Sequence, residues 1–262
     1  MLRFDWASWR ALSHQKNGES ERNRMLAEFE HAFGDMEKRA NSASAIYSLL
    51  GHKGDLMLLH YRESFEDLKS TELQLSSLAL WDFLEPVDSF LSVVELGLYD
   101  SSVKTYQSLV ERGVAQHTPE WDSAIKEVLH RQREAMRERL YPQIPNSRYL
   151  CFYPMDRKRD EEKNFYMLPI EERQRQMHEH GMVGRRYAGE VKQIITGSIG
   201  FDDWEWGVDL FGDDPLVFKR LIYEMRFDQV SAEYAVFGRF FLGVRVPAKK
   251  LGELLSGTLP AG

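Results

Sequence analysis

The sequence predicts an α+β protein that contains two consecutive units with the element order βαββαβ. Two observations lead to this fold class. Short apolar runs typical of strands alternate with longer segments whose apolar residues recur at helical spacing. The same order of elements occurs twice, once before residue 100 and once after residue 146. The length agrees, because 262 residues suffice for two domains of about 130 residues each.

A helix and a β-hairpin dominate the first half of the chain. Met25, Phe29 and Phe33 recur at helical spacing, which predicts an amphipathic helix. Two apolar runs separated by a turn region follow, and this pattern is typical of a hairpin. The predicted elements of this half are a stub of a strand at 2–4, a helix at 21–39, strands at 44–51 and 55–61, a helix at 64–80 and a strand at 90–98.

The second half repeats this order after a helical connection at 100–146, whose end is marked by two prolines. We therefore expect an N-terminal unit at 1–99, the connection at 100–146 and a C-terminal unit at 147–262. Each unit has the order of the ferredoxin-like fold. The predicted elements of the second unit are a strand at 149–155, a helix at 169–180, strands at 190–199 and 204–211, a helix at 215–226 and a strand at 237–246.

Composition limits the classes of protein and partner. Lys and Arg number 34 against 41 Asp and Glu, a net charge of −7, which disfavours non-specific nucleic-acid binding. No apolar run approaches the ~20 residues of a membrane span, and the charged start MLRFDWASWR does not resemble a signal peptide. The single cysteine, Cys151, fits a reducing compartment. We expect a soluble, cytoplasmic protein with neither nucleic-acid nor membrane partners.

Positive charge is concentrated between Arg131 and Arg159. This segment contains eight Lys or Arg residues and three acidic residues, a local excess of five positive charges. Such a stretch is usually a solvated helix face followed by a charged loop. Beside an aromatic strand it also suits a small polyanionic ligand.

Two polar residues occupy apolar faces of predicted elements. His180 shares a helix face with Met177 and Ile170, whereas His178 points about 100° away from Met177. His180 precedes Gly181, which predicts the end of the helix, and it is either a hydrogen-bonded core histidine or a single axial ligand. Gln193 lies on an apolar strand face, where its amide needs a partner in the core or in a site.

A tyrosine and an arginine are further candidates. Tyr153 alternates with Tyr149, Cys151 and Met155 along one strand face, where an aromatic residue usually serves packing. Arg139 continues an apolar helical stripe, and a guanidinium in such a position requires an anion. The sequence contains none of the common catalytic signatures: no Walker loop, dinucleotide fingerprint, GxSxG or HExxH motif.

Residues 149–208 contain three motifs in order: Tyr153 in YPMD, His180 in EHG and Gln193 in KQIITGS. The chain resembles the chlorite-dismutase-like superfamily and, within it, the coprohaem decarboxylases of haem synthesis in Gram-positive-type bacteria. The likeness continues through DWASW and SVVEL in the first half and LIYEMRFDQVSAEYAVFG in the second. It implies that the two sheets pair into a barrel-like core and that the subunits form a homopentamer. It also implies a longer opening strand, so either the sequence starts late or the first sheet lacks most of an edge.

The resemblance implies an activity and a role for each motif residue. Fe-coproporphyrin III is then both substrate and redox cofactor, and hydrogen peroxide drives the loss of two propionate carboxyls to give haem b. His180 corresponds to the proximal iron ligand and Tyr153 to the redox-active tyrosine that forms a radical. Gln193 stands at the distal position, where chlorite dismutases carry arginine. The upstream ferrochelatase is an expected transient partner.

Further residues are expected to contact the porphyrin. Arg157 stands where lysine is common in the family, and Phe165 stands where many relatives have tryptophan. Two other interpretations stay open: a chlorite-dismutase-like or peroxidase-type haem enzyme, and a non-catalytic haem-binding protein. The expected porphyrin contacts are Arg139, Tyr153, Pro154, Met155, Asp156, Arg157, Gln193, Arg226 and Ser231.

Overall fold

The computed structural model describes residues 1–37, 43–94, 108–115, 118–135 and 137–261. Short 3₁₀ helices precede β4, lie between β5 and α6, and follow β9. The main elements, in chain order, are β1 (Leu2–Phe4), α1 (Trp6–Ser13), α2 (Gly18–Glu37), β2 (Ala43–Leu49), β3 (Leu56–Tyr61), α3 (Phe65–Ser76), β4 (Leu84–Pro86), α4 (Pro119–Ala135), α5 (Arg137–Leu140), β5 (Tyr149–Arg157), α6 (Ile170–Arg185), β6 (Lys192–Gly197), β7 (Trp206–Gly212), α7 (Pro215–Met225), α8 (Gln229–Tyr234), β8 (Ala235–Phe237), β9 (Phe241–Val246) and α9 (Leu251–Leu255).

The strands form one antiparallel sheet in the order β4-β1-β3-β2-β9-β5-β7-β6, and β8 pairs with β5. Within each unit the four strands, numbered in chain order, lie side by side in the order 4-1-3-2, which defines the ferredoxin-like fold. The prediction of two such units in tandem is therefore confirmed. The units join where β2 pairs with β9, from Ile46 opposite Val246 to Leu49 opposite Gly243.

The sheet is strongly curved. Pro86 ends β4 at one edge, and Val93 makes an isolated bridge to Gly197 in β6 at the other edge. The residues between them span at most about 25 Å, whereas a flat sheet of eight strands would be about 34 Å wide. The two edges must therefore approach each other. Over the described residues the sheet is barrel-like but not closed.

Strand alternation divides the apolar residues between two faces. Phe152 belongs to the cluster on the inner face of the curved sheet, together with Tyr47 and Phe211. Its neighbour Tyr153 belongs to the cluster on the outer face, which helices α6 and α7 cover. The unit boundary is also tight, since a Cβ on Gly243 would lie 2.7 Å from the Tyr47 Cβ. The site residues predicted on the Tyr153 face are thus placed between sheet and helices.

One predicted strand is wrong. The sequence predicted a strand at 90–98, but the strand that completes the first unit is β4, Leu84–Pro86. Residues 87–92 are irregular and Val93 makes only its single bridge; residues 95–98 lie outside the described part of the chain. β4 pairs with β1 from Leu84 to Pro86, and the Val87 N–H still donates to the Met1 carbonyl at 3.0 Å.

Other boundaries also differ from prediction. Helix α6 continues to Arg185 and does not end before Gly181. The predicted strand at 237–246 is two strands, β8 and β9, and the helix at 64–80 ends at Ser76. The short helices α1, α8 and α9 were not predicted. The division of the chain at 99 and 146 remains a prediction.

Within the described residues, no helix combines the length and apolar character that crossing a membrane requires.

Candidate functional site

His180 lies on α6, and its ring is fixed by a carboxylate. The Nδ1 atom is 3.0 Å from Asp228 Oδ2, and the His180 side chain is 22% exposed. An imidazole that donates a hydrogen bond from Nδ1–H to a carboxylate keeps the proton on Nδ1. The lone pair of Nε2 is then available on the opposite side of the ring. His178, two residues earlier, is exposed. Only His180 is therefore prepared as a ligand.

Asp228 holds its position because it also caps α8. Its Oδ1 accepts the backbone N–H of Ser231 at 2.9 Å, and Ser231 Oγ donates to its Oδ2 at 3.1 Å. Burial raises the pKa of Asp228, but hydrogen bonds from His180 and Ser231 outweigh it, so the pKa is lowered from its ordinary value. Ser231 Oγ also lies 3.3 Å from His180 Nδ1. The carboxylate stays ionised and orients the imidazole.

His180 does not belong to a cluster of three or more potential metal ligands within the described residues. Among the described residues, no three of His, Cys, Asp or Glu converge on one point. A protein-only metal site needs three or four such groups. A single histidine suffices where a macrocycle supplies the other ligands to the iron.

Arg157 ends β5 as a buried cation with unused donors. It is 7% exposed, and within the described residues its Nε and Nη1 have no hydrogen-bond partner. The third nitrogen, Nη2, lies 3.1 Å from the sulfur of Met177, one turn of α6 before His180. Burial lowers the pKa of Arg157, although an arginine stays charged in proteins. The two unpaired nitrogens, Nε and Nη1, can therefore donate hydrogen bonds to an incoming anion.

The Arg157 guanidinium lies over two aromatic rings. Its Cζ lies 4.8 Å from the centroid of Phe165 and 5.9 Å from that of Trp206. Cation–π contacts of this kind stabilise the charge without using the in-plane N–H groups. Phe165, expected where relatives have tryptophan, keeps an aromatic face at this position.

Tyr153 is buried on the outer sheet face, four residues before Arg157. It is 3% exposed and stacks on Phe240 with ring centroids 4.6 Å apart. No described residue supplies a hydrogen-bond partner for its hydroxyl. Burial raises the pKa of the phenol well above its ordinary value. The side chain is therefore a neutral phenol at physiological pH.

Gln193 approaches the same helix as His180. Gly184 follows His180 by one turn of α6, and a Cβ on Gly184 would lie 3.8 Å from Gln193 Oε1 and 3.3 Å from the terminal methyl of Met225. The absence of a side chain at Gly184 thus allows α6 to pack closely on β6 and α7. It brings Gln193 to the helix face that carries His180.

The structure divides the other predicted contacts between two faces of β5. Met155 lies on the Tyr153 face. Pro154 lines a cavity of about 560 Å³ on the inner side of the sheet, and Asp156 Oδ1 accepts the backbone N–H of Glu205 at 2.7 Å. Neither of these two side chains joins the group around His180.

Two of the predicted cations are exposed. Arg139 is exposed near the end of α5, so it does not lie on the buried stripe that the sequence suggested. Arg226 follows α7 with its guanidinium 5.1 Å from the Phe237 ring centroid. The structure brings Ser231 to His180 and places Arg157 against Met177, one turn of α6 before His180. Tyr153 and Gln193 lie on the sheet face that α6 and α7 cover, and Arg139 and Arg226 lie at the surface.

Sequence reasoning did not find Asp228 and Glu205. Asp228 begins the segment DQVS, a pattern typical of a helix N-cap, yet nothing local indicates that it reaches His180. Glu205 stands between two tryptophans, and a carboxylate in that setting would have indicated a buried partner.

Comparison with known proteins agrees with this fold. Residues 22–246 match the model of the family described as chlorite dismutase. A novel heme-binding protein from Thermus thermophilus is 36% identical, with a TM-score of 0.79, 97% of this chain and 92% of that chain being covered. A mutant chlorite dismutase from Candidatus Nitrospira defluvii is 17% identical, with a TM-score of 0.70 and the same coverage.

Fold and site define a protein of two ferredoxin-like units with a carboxylate-bound histidine between sheet and helices. The family match covers most of the chain, and the chain therefore belongs to the chlorite dismutase family.

Proposed function

We propose that this protein binds an iron porphyrin through His180 and decarboxylates it with hydrogen peroxide. The substrate is Fe-coproporphyrin III, two of whose propionates become vinyl groups to give haem b. The observation that carries the proposal is that α6 and β5 present two side chains with unused binding capacity, His180 and Arg157. His180 has its Nδ1 bound and its Nε2 available, and Arg157 is a buried cation whose Nε and Nη1 have no hydrogen-bond partner within the described residues.

The residues fit such a ligand in three respects. His180 supplies the single protein ligand that a haem iron takes on its proximal side. Arg157 supplies N–H donors for a carboxylate. The face of α6 that carries His180 also presents Met177 and Ile170, which are 40% and 36% exposed and suit an apolar ring. The 36% identical relative that is described as heme-binding supports the same ligand class.

When bound, the iron porphyrin would supply the oxidising power for a reaction driven by hydrogen peroxide. Asp228 keeps the imidazole of His180 in one orientation and one tautomer. Arg157 holds a propionate beside the Tyr153 face of β5. Tyr153 gives up its phenolic hydrogen atom and, as a radical, removes a hydrogen atom from the propionate β-carbon.

The overall reaction balances for each propionate. The side chain loses two electrons and a proton as its carboxylate leaves as CO₂ and its two remaining carbons become a vinyl group. The peroxide takes up two electrons and two protons, one released by the side chain and one from the solvent, and becomes two molecules of water. Two equivalents of peroxide therefore convert both propionates, and no further reductant or oxidant is required.

The test follows the mass of the porphyrin. Purified protein is loaded with Fe-coproporphyrin III and treated with hydrogen peroxide. The porphyrin is then extracted, and its molecular mass is measured by mass spectrometry. The proposal predicts two successive losses, each equal to one CO₂ and two hydrogen atoms. Rapid decomposition of chlorite with the porphyrin intact would instead indicate a chlorite dismutase. An inert bound porphyrin would indicate a carrier. The homopentamer and the transient contact with a ferrochelatase remain predictions.

A further inference from the structure

We propose that Tyr166 and Arg159 are positioning residues that keep Arg157 available for a carboxylate. They do so because they occupy both oxygens of Glu205, an acidic residue that would otherwise pair with Arg157. The inference rests on the proposed function, since it assigns the carboxylate that Arg157 binds to a porphyrin.

Glu205 is a buried carboxylate next to a buried cation. It is 5% exposed, and its Oε2 accepts the backbone N–H of Arg157 at 3.1 Å. Its negative charge acts on the Arg157 side chain and opposes the lowering of the Arg157 pKa by burial. Two opposite charges so close in a poorly solvated place are expected to form a hydrogen-bonded ion pair. Yet the Arg157 guanidinium donates no hydrogen bond to Glu205.

Other donors occupy the Glu205 oxygens. The Tyr166 hydroxyl donates to Oε2 at 2.7 Å, and Arg159 Nε lies 3.2 Å from Oε1. With the backbone N–H of Arg157, these contacts supply donors to both oxygens and place the carboxylate beside the main chain of β5. The hydrogen bond to Glu205 also contributes, after burial, to the raised pKa of Tyr166, so Tyr166 remains a donor at physiological pH.

The Arg157 side chain is held apart from Glu205 by contacts of a different kind. The guanidinium lies over the rings of Phe165 and Trp206, and the sulfur of Met177 lies at Nη2. Among the described residues, these contacts leave Nε and Nη1 unpaired. A carboxylate from outside can therefore bind Arg157 without first breaking an internal ion pair.

Removal of the donors to Glu205 should consequently close the Arg157 site. In Tyr166→Phe, the ring stays and Oε2 loses a strong hydrogen bond. The freed carboxylate can then turn to the unpaired N–H groups of Arg157, a side chain on which its charge already acts. A new internal ion pair would compete with the incoming carboxylate for the same N–H groups.

The experiment measures binding of metal-free coproporphyrin III, a tetracarboxylate, to the apoprotein. Tyr166→Phe should weaken binding on the order of tenfold, because a charge-assisted hydrogen bond is at stake. The tetramethyl ester of the same porphyrin serves as the control ligand, and its affinity should not change. Arg159 is mostly exposed, so Arg159→Gln should fold normally and show a smaller loss in the same direction.

A double variant separates positioning from simple damage. In Tyr166→Phe/Glu205→Gln the competing charge is absent, so affinity for coproporphyrin III should return to the wild-type value. Thermal unfolding of each apoprotein shows whether a variant has lost its fold. Affinity that stays low in a folded double variant would overturn the proposal.

The background variant Arg157→Gln distinguishes two kinds of failure. If Arg157→Gln weakens coproporphyrin binding and both Tyr166→Phe and Arg159→Gln do not, the positioning roles are wrong and the Arg157 assignment stands. If Arg157→Gln binds as well as wild type, the assignment of Arg157 falls and the positioning roles fall with it. The proposal requires that Tyr166→Phe has no further effect in the Arg157→Gln background.

Discussion

At the residue scale, the site depends on the different fates of two histidines two positions apart. His180 is partly buried and bound to Asp228, whereas His178 is exposed. Helical geometry alone separates their directions by about 200°. The carboxylate then adds what helical phase cannot, namely one fixed orientation of the ring.

We predict that His180→Ala loses the axial-histidine absorption spectrum of bound Fe-coproporphyrin III and retains the ligand poorly. The iron loses its protein ligand, while the apolar surface around it remains. His178→Ala is the matched control and should leave spectrum and affinity unchanged. Equal spectra for the His180 variant and the wild type would remove His180 from the site.

Another buried carboxylate, Asp209, lies on the inner face of the sheet. Tyr61 donates to its Oδ2 at 2.7 Å, and its Oδ1 has no partner within the described residues. Burial raises the pKa of Asp209 from 3.8 to about 6. A raised folded-state pKa means that the folded protein binds this proton more tightly than the unfolded chain. Its contribution to stability is therefore full below pH 3.8 and is lost as the pH rises through about 6.

Asp209→Asn should consequently stabilise the fold at pH 8, because the amide avoids a buried charge and still accepts from Tyr61. The shift corresponds to roughly 3 kcal/mol before the cost of the added N–H donors is counted. Thermal unfolding from pH 4 to pH 8 measures the effect. The advantage over wild type should shrink towards pH 4, and an advantage that does not change with pH would contradict the explanation.

At the element scale, β5 and α6 determine which residues meet. Alternation along β5 sends Tyr153, Met155 and Arg157 to the helix-covered face and Pro154 to the inner face. The sequence predicted the Tyr153 face correctly, because alternation is a local property. The end of α6 was predicted wrongly, since Gly181 lies in a helical conformation and the helix continues to Arg185. A glycine ends a helix only where the chain also takes up a left-handed conformation.

Gly181 should therefore behave as an ordinary interior helix position. Gly181→Ala is expected to stabilise the apoprotein by about 0.5–1 kcal/mol, because a Cβ there meets nothing within 4 Å. Urea unfolding measures the difference. Gly184→Ala is the comparison, since its Cβ would press on Met225 at 3.3 Å, and it should gain less or nothing. A destabilised Gly181→Ala would show that the glycine is required where it stands.

At the scale of the whole molecule, the repeated element order predicts two ferredoxin-like units, and the structure confirms them. Their union could not be read from any single segment. It depends on β2 pairing with β9, and Ile46 and Val246 are far apart in the chain. The contact of His180 with Asp228 likewise spans 48 positions. Local patterns predicted most of the elements and one member of each polar pair, His180 and Arg157. The partners Asp228 and Glu205 depend on tertiary packing.

The central claim is that Tyr153 is the residue that removes hydrogen from the substrate, and Tyr153→Phe tests it most directly. Phenylalanine keeps the stack on Phe240 and loses a hydroxyl that has no partner among the described residues. Fold and affinity for Fe-coproporphyrin III should therefore change little. A phenyl ring has no O–H to give up, so it cannot form the required radical.

The measurement is the mass of the porphyrin after peroxide is added to loaded Tyr153→Phe, with Tyr149→Phe on the same strand face as the control. We predict that the Tyr153 variant returns a porphyrin with all four propionates and that the Tyr149 variant gives haem b. Haem b from the Tyr153 variant at the wild-type rate would contradict the account, and Tyr153 would then be a packing residue of β5.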